Sequence, residues 1–176
     1  MGRRITTERA PWHYTECGLD NVYLVGIEVE TDPTTGEEDL VIPDFEDLHD
    51  CIFLAIVSKR GFLTGREFRY LRRRLLWTQA EAAERIGFNG PQYVCEIESR
   101  DRAFDIRSDF FCRFVVLSAF CEQATGKRKR EAKATLRSSE KILQKIRKVG
   151  HPCRLKIKRV DTRRGGIWKP PLPLVA

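Results

Sequence analysis

Residues 78–98, TQAEAAERIGFNGPQYVCEIE, constrain the fold of this chain more than any other stretch. Thr78 caps a short helix, and Glu81 three residues later completes a capping box. Ala80, Ala82 and Ala83 favour helix, with Ile86 as its apolar anchor. Gly87-Phe88-Asn89-Gly90-Pro91 breaks that helix, and Pro91 suits the first turn of the next. In the second helix Val94 and Ile97 face inward, while Gln92, Tyr93, Cys95 and Glu96 lie on its other sides. Two short helices around a tight turn, the second presenting polar side chains, form the helix-turn-helix pattern.

The flanking text extends this unit. Thr64 and Glu67 open a preceding helix to about Leu76, with Phe68, Leu71 and Leu75 inward. Asp105 starts a later one to about Cys121. Its Ile106, Phe110, Phe111, Phe114, Val115, Val116, Leu117 and Phe120 leave it apolar almost all round. Such a helix is buried on several sides, either inside a monomer or partly in a dimer seam. Upstream, residues 22–30 alternate as a strand, 32–36 are turn text and 40–42 return, which predicts a β-hairpin. Asp44 then caps a helix from Phe45 to about Ser58, ended by Gly61.

Thr78-Gln79, Ala83, Ile86-Gly87 and Gln92-Tyr93-Val94-Cys95-Glu96-Ile97-Glu98 resemble helix-turn-helix regulators of the lambda-repressor-like (Cro/XRE) class. The chain departs from that pattern at four points. Ala82 replaces a leucine, one extra residue lies between Gly87 and Glu98, Cys95 replaces a serine, and Arg100 stands where a glycine ends the motif. With the text from His13 onward, the resemblance narrows to a group akin to MqsA-type antitoxins. It implies a mainly α fold: a four- to five-helix lambda-repressor-like domain over 61–123. A small β-hairpin-plus-helix domain (α+β) over 1–60 precedes it, and a basic helix and extended tail over 124–176, outside the resemblance, follow. The zinc of the MqsA type is not carried over, since only Cys17 lies in the corresponding region.

Charge points the same way. Residues 127–176 hold 17 Lys/Arg against Glu131, Glu140 and Asp161, a balance of +14 within a net charge of +7, so the first 126 residues carry −7. A segregated basic tail suits a polyanion such as nucleic acid, the alternative being a solvated tail that aids solubility. Within it, residues 155–158 alternate like an edge strand. Trp168 opens an extended, Pro-rich end.

The resemblance implies double-stranded DNA as partner. Gln79 would contact a phosphate at a helix N-terminus. Gln92 would read adenine, a bidentate pair that discriminates by ~1–3 kcal/mol. Asn89, Tyr93 and Glu96 complete the reading surface, and Arg100 and Arg102 would hold backbone phosphates, or else are solvated loop charges. It also implies an ion pair between Arg72 and Glu98, and a homodimer on a palindromic operator. The alternative is an antitoxin-like module that neutralises a toxin protein and autoregulates. A third reading is general nucleic-acid binding driven by the tail.

Other chemistries lack their motifs. No Gly-rich phosphate loop, HExxH or GxSxG is present, so no enzyme or cofactor is expected. His13/Cys17, His49/Cys51 and His151/Cys153 lack the paired spacing of structural zinc, so no metal is expected. Six cysteines without a CxxC pair read as reduced, mostly buried thiols. No apolar run nears the ~20 residues of a membrane span, and no apolar leader follows Met1. A cytoplasmic location is the expectation.

Overall fold

The computed structural model describes residues 2–100, 104–138, 154–162 and 165–169. Within them lie six helices and seven strands in two sheets, an α+β architecture. This overturns the mainly α, lambda-repressor-like fold that the resemblance implies. The strand content comes from both ends of the chain, where pairing across long sequence separation leaves no local signal.

Residues 22–30 do not form one strand. They split into β3 (Val22–Val25) and β4 (Glu28–Thr31) at Gly26, whose φ is +78°. A Cβ there would sit 2.7 Å from the Arg159 carbonyl oxygen, so only glycine fits. After this bend β4 lies between β1 (Gly2–Ile5) and β5 (Glu38–Val41), antiparallel to both. Thr6 seals the corner: its amide and hydroxyl both bond the Ile27 carbonyl, at 2.9 and 3.4 Å. β3 belongs to the other sheet, ordered β2 (Trp12–His13), β3, β6 (Leu155–Thr162), β7 (Gly165–Lys169).

β6 pairs in parallel with β3 and antiparallel with β7, so it is an inner strand rather than the expected edge. Leu155 and Ile157 are buried and Lys156 and Lys158 exposed, as their alternation requires. Trp168 is not in an extended end: it lies buried in β7, its indole donating to the Pro43 carbonyl at 3.1 Å.

α1 spans Phe45–Ser58. Asp44 does not cap it with its side chain, contrary to the sequence reading, but stands in the left-handed region at φ 53°. α2 (Gly65–Arg74) and α3 (Gln79–Ile86) both carry complete capping boxes, at Thr64/Glu67 and Thr78/Glu81. α4 (Pro91–Arg100), α5 (Ile106–Gln123) and α6 (Gly126–Arg137) follow. One contiguous core runs from Tyr14 to Trp168 through all of these helices.

Buried charges bind the layers together. Asp105 caps α5, which delivers Arg113 beneath the end of α1. There the guanidinium donates to the carbonyls of Ile56, Val57, Lys59 and Gly61 at 2.5–3.2 Å and to Asp109 at 2.7 Å. Asp109 in turn accepts from the Leu63 amide at 2.5 Å. A single arginine thus takes two of the last carbonyls of a helix that has no basic residue in its own last turn, and two more in the loop beyond it. Lys59 and Glu67 form a second buried pair at 2.6 Å, and Asn21 donates to the same carboxylate at 3.1 Å. α6 contributes Arg128, which holds Asp47 of α1 at 2.6 Å and the Trp168 carbonyl at 3.1 Å. This residue of the basic run is therefore a structural clamp, not a solvated charge.

Candidate nucleic-acid interface

The helix-turn-helix unit is built from α3, the turn 87–90 and α4. Gly87 closes α3 with φ +75°, and the Phe88 amide bonds the Ala83 carbonyl at 2.8 Å. The extra turn residue is absorbed by turning Phe88 inward, edge-on to Phe68 at 6.2 Å and Phe104 beyond it, while Asn89 stays exposed. Phe88 also supports Tyr93, at 5.2 Å.

α4 buries Val94 and Glu98 and exposes Gln92, Tyr93, Cys95, Glu96, Ser99 and Arg100. Gln92, Tyr93 and Glu96 thus share the solvent side of one helix. Tyr93 is 46% exposed with only its ring edge supported. Arg100 reaches Glu96 at 3.9 Å, both side chains well exposed, and such pairs hold little free energy, ~0–1 kcal/mol. Arg102 lies outside the described residues.

Arg72 and Glu98 are brought together in bidentate geometry, Nε to Oε1 at 2.6 Å and Nη2 to Oε2 at 2.9 Å. Nη1 donates to the Trp77 carbonyl at 2.6 Å, so one guanidinium ties α2, the α2–α3 turn and the end of α4. Gln79 joins this network rather than standing free. Its amide nitrogen donates to Glu98 Oε2 at 3.1 Å. The capping box holds the Glu81 carboxyl below its usual pKa through the Thr78 bonds. The first two amides of α3, at Gln79 and Ala80, keep no partner among the described residues. An anion at this end would meet those two amides and the helix dipole.

Phe111 and Phe114 of α5, 48% and 43% exposed, lie on the outer side of that helix with Ile106. Phe110 packs on Phe114 at 6.3 Å. The helix is therefore not apolar because it is wholly internal. Its other side, with Cys112, Val116, Leu117 and Phe120, fills the core.

The His/Cys neighbours take other roles. His13 Nε2 meets the Asp20 carbonyl at 2.8 Å and its ring stacks on Tyr23. Cys17 donates to the Tyr14 carbonyl, and burial pushes its thiol up to about 11. His151 and Cys153 lie outside the described residues. Among the described residues no three His, Cys, Asp or Glu side chains gather as metal ligands, and no helix is long and apolar enough to cross a membrane.

One cluster was not legible in the sequence. The Tyr70 hydroxyl lies 2.9 Å from His49 Nδ1 and 3.1 Å from the His49 carbonyl, to which it can donate. The Tyr14 hydroxyl meets Nε2 at 3.2 Å. Residues far apart in sequence thus engage both nitrogens of one imidazole, and only the fold juxtaposes them. No family model matches the chain, and no curated protein or solved structure matches it either.

Proposed function

We propose that this chain is a sequence-specific regulator of transcription that binds double-stranded DNA and represses from a palindromic operator as a dimer. The observation that carries this reading is α4 itself. Its inner side is locked by Val94 and the Arg72–Glu98 pair, while Gln92, Tyr93 and Glu96 stand together on its exposed side. A polar helix face held rigidly by a second helix and a tight turn is the form that enters a major groove. Gln92 is the base reader, Tyr93 and Asn89 border it, and Arg100 with the α3 amides takes phosphates. The exposed aromatic side of α5 supplies the apolar area that a second copy would cover.

Selection of bound sequences from random duplexes tests the reading. A palindromic consensus is expected, with Gln92→Ala relaxing the preference at one position in each half-site. Affinity should fall steeply with salt. Recovery of no consensus would sink the proposal. Sedimentation tests the dimer: Phe111→Ser with Phe114→Ser should shift the chain to monomer.

A further inference from the structure

The geometry points to an anion-binding cavity for a small organic phosphate, formed between α2, the 16–18 turn, α1 and the end of α4. Its volume is about 720 Å³, in the range of small-molecule sites and well beyond what a lone inorganic anion fills. This assignment concerns a different surface from the exposed side of α4 and does not depend on DNA binding.

Arginines of α2 at positions 66, 69, 73 and 74 line the cavity. Two are already engaged: Arg66 pairs with Asp20, and Arg74 bridges Glu46 and Asp50 at 2.6 Å each. Arg69 and Arg73 differ. Both are exposed, and neither guanidinium makes a hydrogen bond or ion pair among the described residues. At i and i+4 they are like charges on neighbouring helical positions, an arrangement that destabilises a helix unless an anion lies between them. Two guanidiniums offer paired donors matched to the oxygens of a phosphate. The carboxylate of Glu98, also on the wall, is neutralised by Arg72, and Glu16 is the remaining acidic member.

A second, independent observation lies at the rim. Leu76 is 88% exposed and has φ +60°. Its amide bonds the Arg73 carbonyl and the Trp77 amide bonds the Arg72 carbonyl, the same double closure that ends α3 at Gly87. The chain places glycine at one such position and leucine at the other. An apolar side chain that is both backbone-strained and solvated contributes nothing to the core, and it borders the cavity beside the arginine pair. Leu76 supplies apolar contact for the body of the ligand, and Arg69 and Arg73 hold its phosphate.

Calorimetric titration of the full chain tests this with inorganic phosphate, glucose 6-phosphate and adenosine monophosphate, beside a DNA duplex. At least one organic phosphate should saturate one site per chain, more tightly than inorganic phosphate. Arg69→Gln with Arg73→Gln should weaken it by about tenfold or more, the value of lost charge-assisted bonds. Leu76→Gly should weaken the organic phosphates and leave inorganic phosphate unaffected. Both arginines are exposed, so an unchanged melting temperature verifies the fold of the double variant. If no phosphate saturates, or if the double variant binds as the parent does, the cavity is not such a site. If the double variant loses duplex affinity while no small phosphate binds, these arginines are backbone-phosphate contacts and the inference is overturned. Because the small ligands are titrated without DNA, failure to find an operator leaves this result standing.

Discussion

Arg72 joins three segments through one guanidinium, so its removal leaves the Glu98 carboxylate buried without a counter-charge, held only by the Gln79 amide. Arg72→Ala should cost ~3–5 kcal/mol in denaturant unfolding. Arg72→Lys should recover little of that, because an ammonium cannot reproduce the fork. An unchanged midpoint for Arg72→Ala would remove this pair from the account of the scaffold. Leu76→Gly should act in the opposite sense, raising stability by about 1 kcal/mol as the left-handed strain is relieved. His49 titrates with a defined sign. Burial first, then the Arg74 charge, lowers its pKa below the ordinary 6.5. The folded state binds that proton less readily than the unfolded chain does. Its contribution is therefore fully present above the unfolded pKa and lost as pH falls below it. Unfolding free energies of the parent and His49→Gln should differ more at about pH 7.5 than at about pH 5.5. A gap that does not vary with pH would discount the Tyr14–His49–Tyr70 network as the cause.

Among the elements, those whose ends are written in local chemistry were readable in advance. The boxes Thr64/Glu67 and Thr78/Glu81 place α2 and α3, and the spacing of Leu48, Ile52, Ala55 and Ile56 places α1. Asp44 misled because an aspartate before a helix also tolerates the left-handed region, and the buried Trp168 indole fixes the Pro43 carbonyl beside it. The end of α1 was opaque for a different reason: its cap, Arg113, comes from a helix more than fifty residues away. Arg113→Ala should cost more than about 3 kcal/mol and raise amide exchange first in the last turn of α1. Uniform exchange across all helices in that variant would argue against a local cap. At the site, Gln92, Tyr93 and Glu96 were legible from helical spacing. Recruitment of Gln79 into the Glu98 network was not, since it depends on how α4 crosses α3.

For the whole molecule, the carboxyl-terminal segment is part of the core rather than an appendage. Leu155, Ile157 and Trp168 are buried, β6 is an inner strand and Arg128 clamps α1 to β7. Sequence reading placed a short strand at 155–158 from its alternation but put it on an edge, because a parallel partner 133 residues away in register, Val22 with Leu155, has no local signature. Removal of everything after Gln123 should therefore abolish cooperative unfolding, whereas replacing exposed Arg130 and Lys133 by Gln should alter melting little. A truncated chain that still melts cooperatively near the parent would contradict this role. The charge variant is accordingly the cleaner way to separate the tail's electrostatics from its packing.

The parallel pairing of β3 with β6 also sets an order in time. As the chain leaves the ribosome, β3 can find β2 at once, but its other side has no partner until residue 155 has emerged. Until then the nascent protein carries an open hydrogen-bonding edge flanked by apolar Val22 and Leu24. Closure of this sheet is necessarily a late event, dominated by contacts of high sequence separation. Until it happens, that edge is the segment most able to recruit a neighbouring chain or a chaperone.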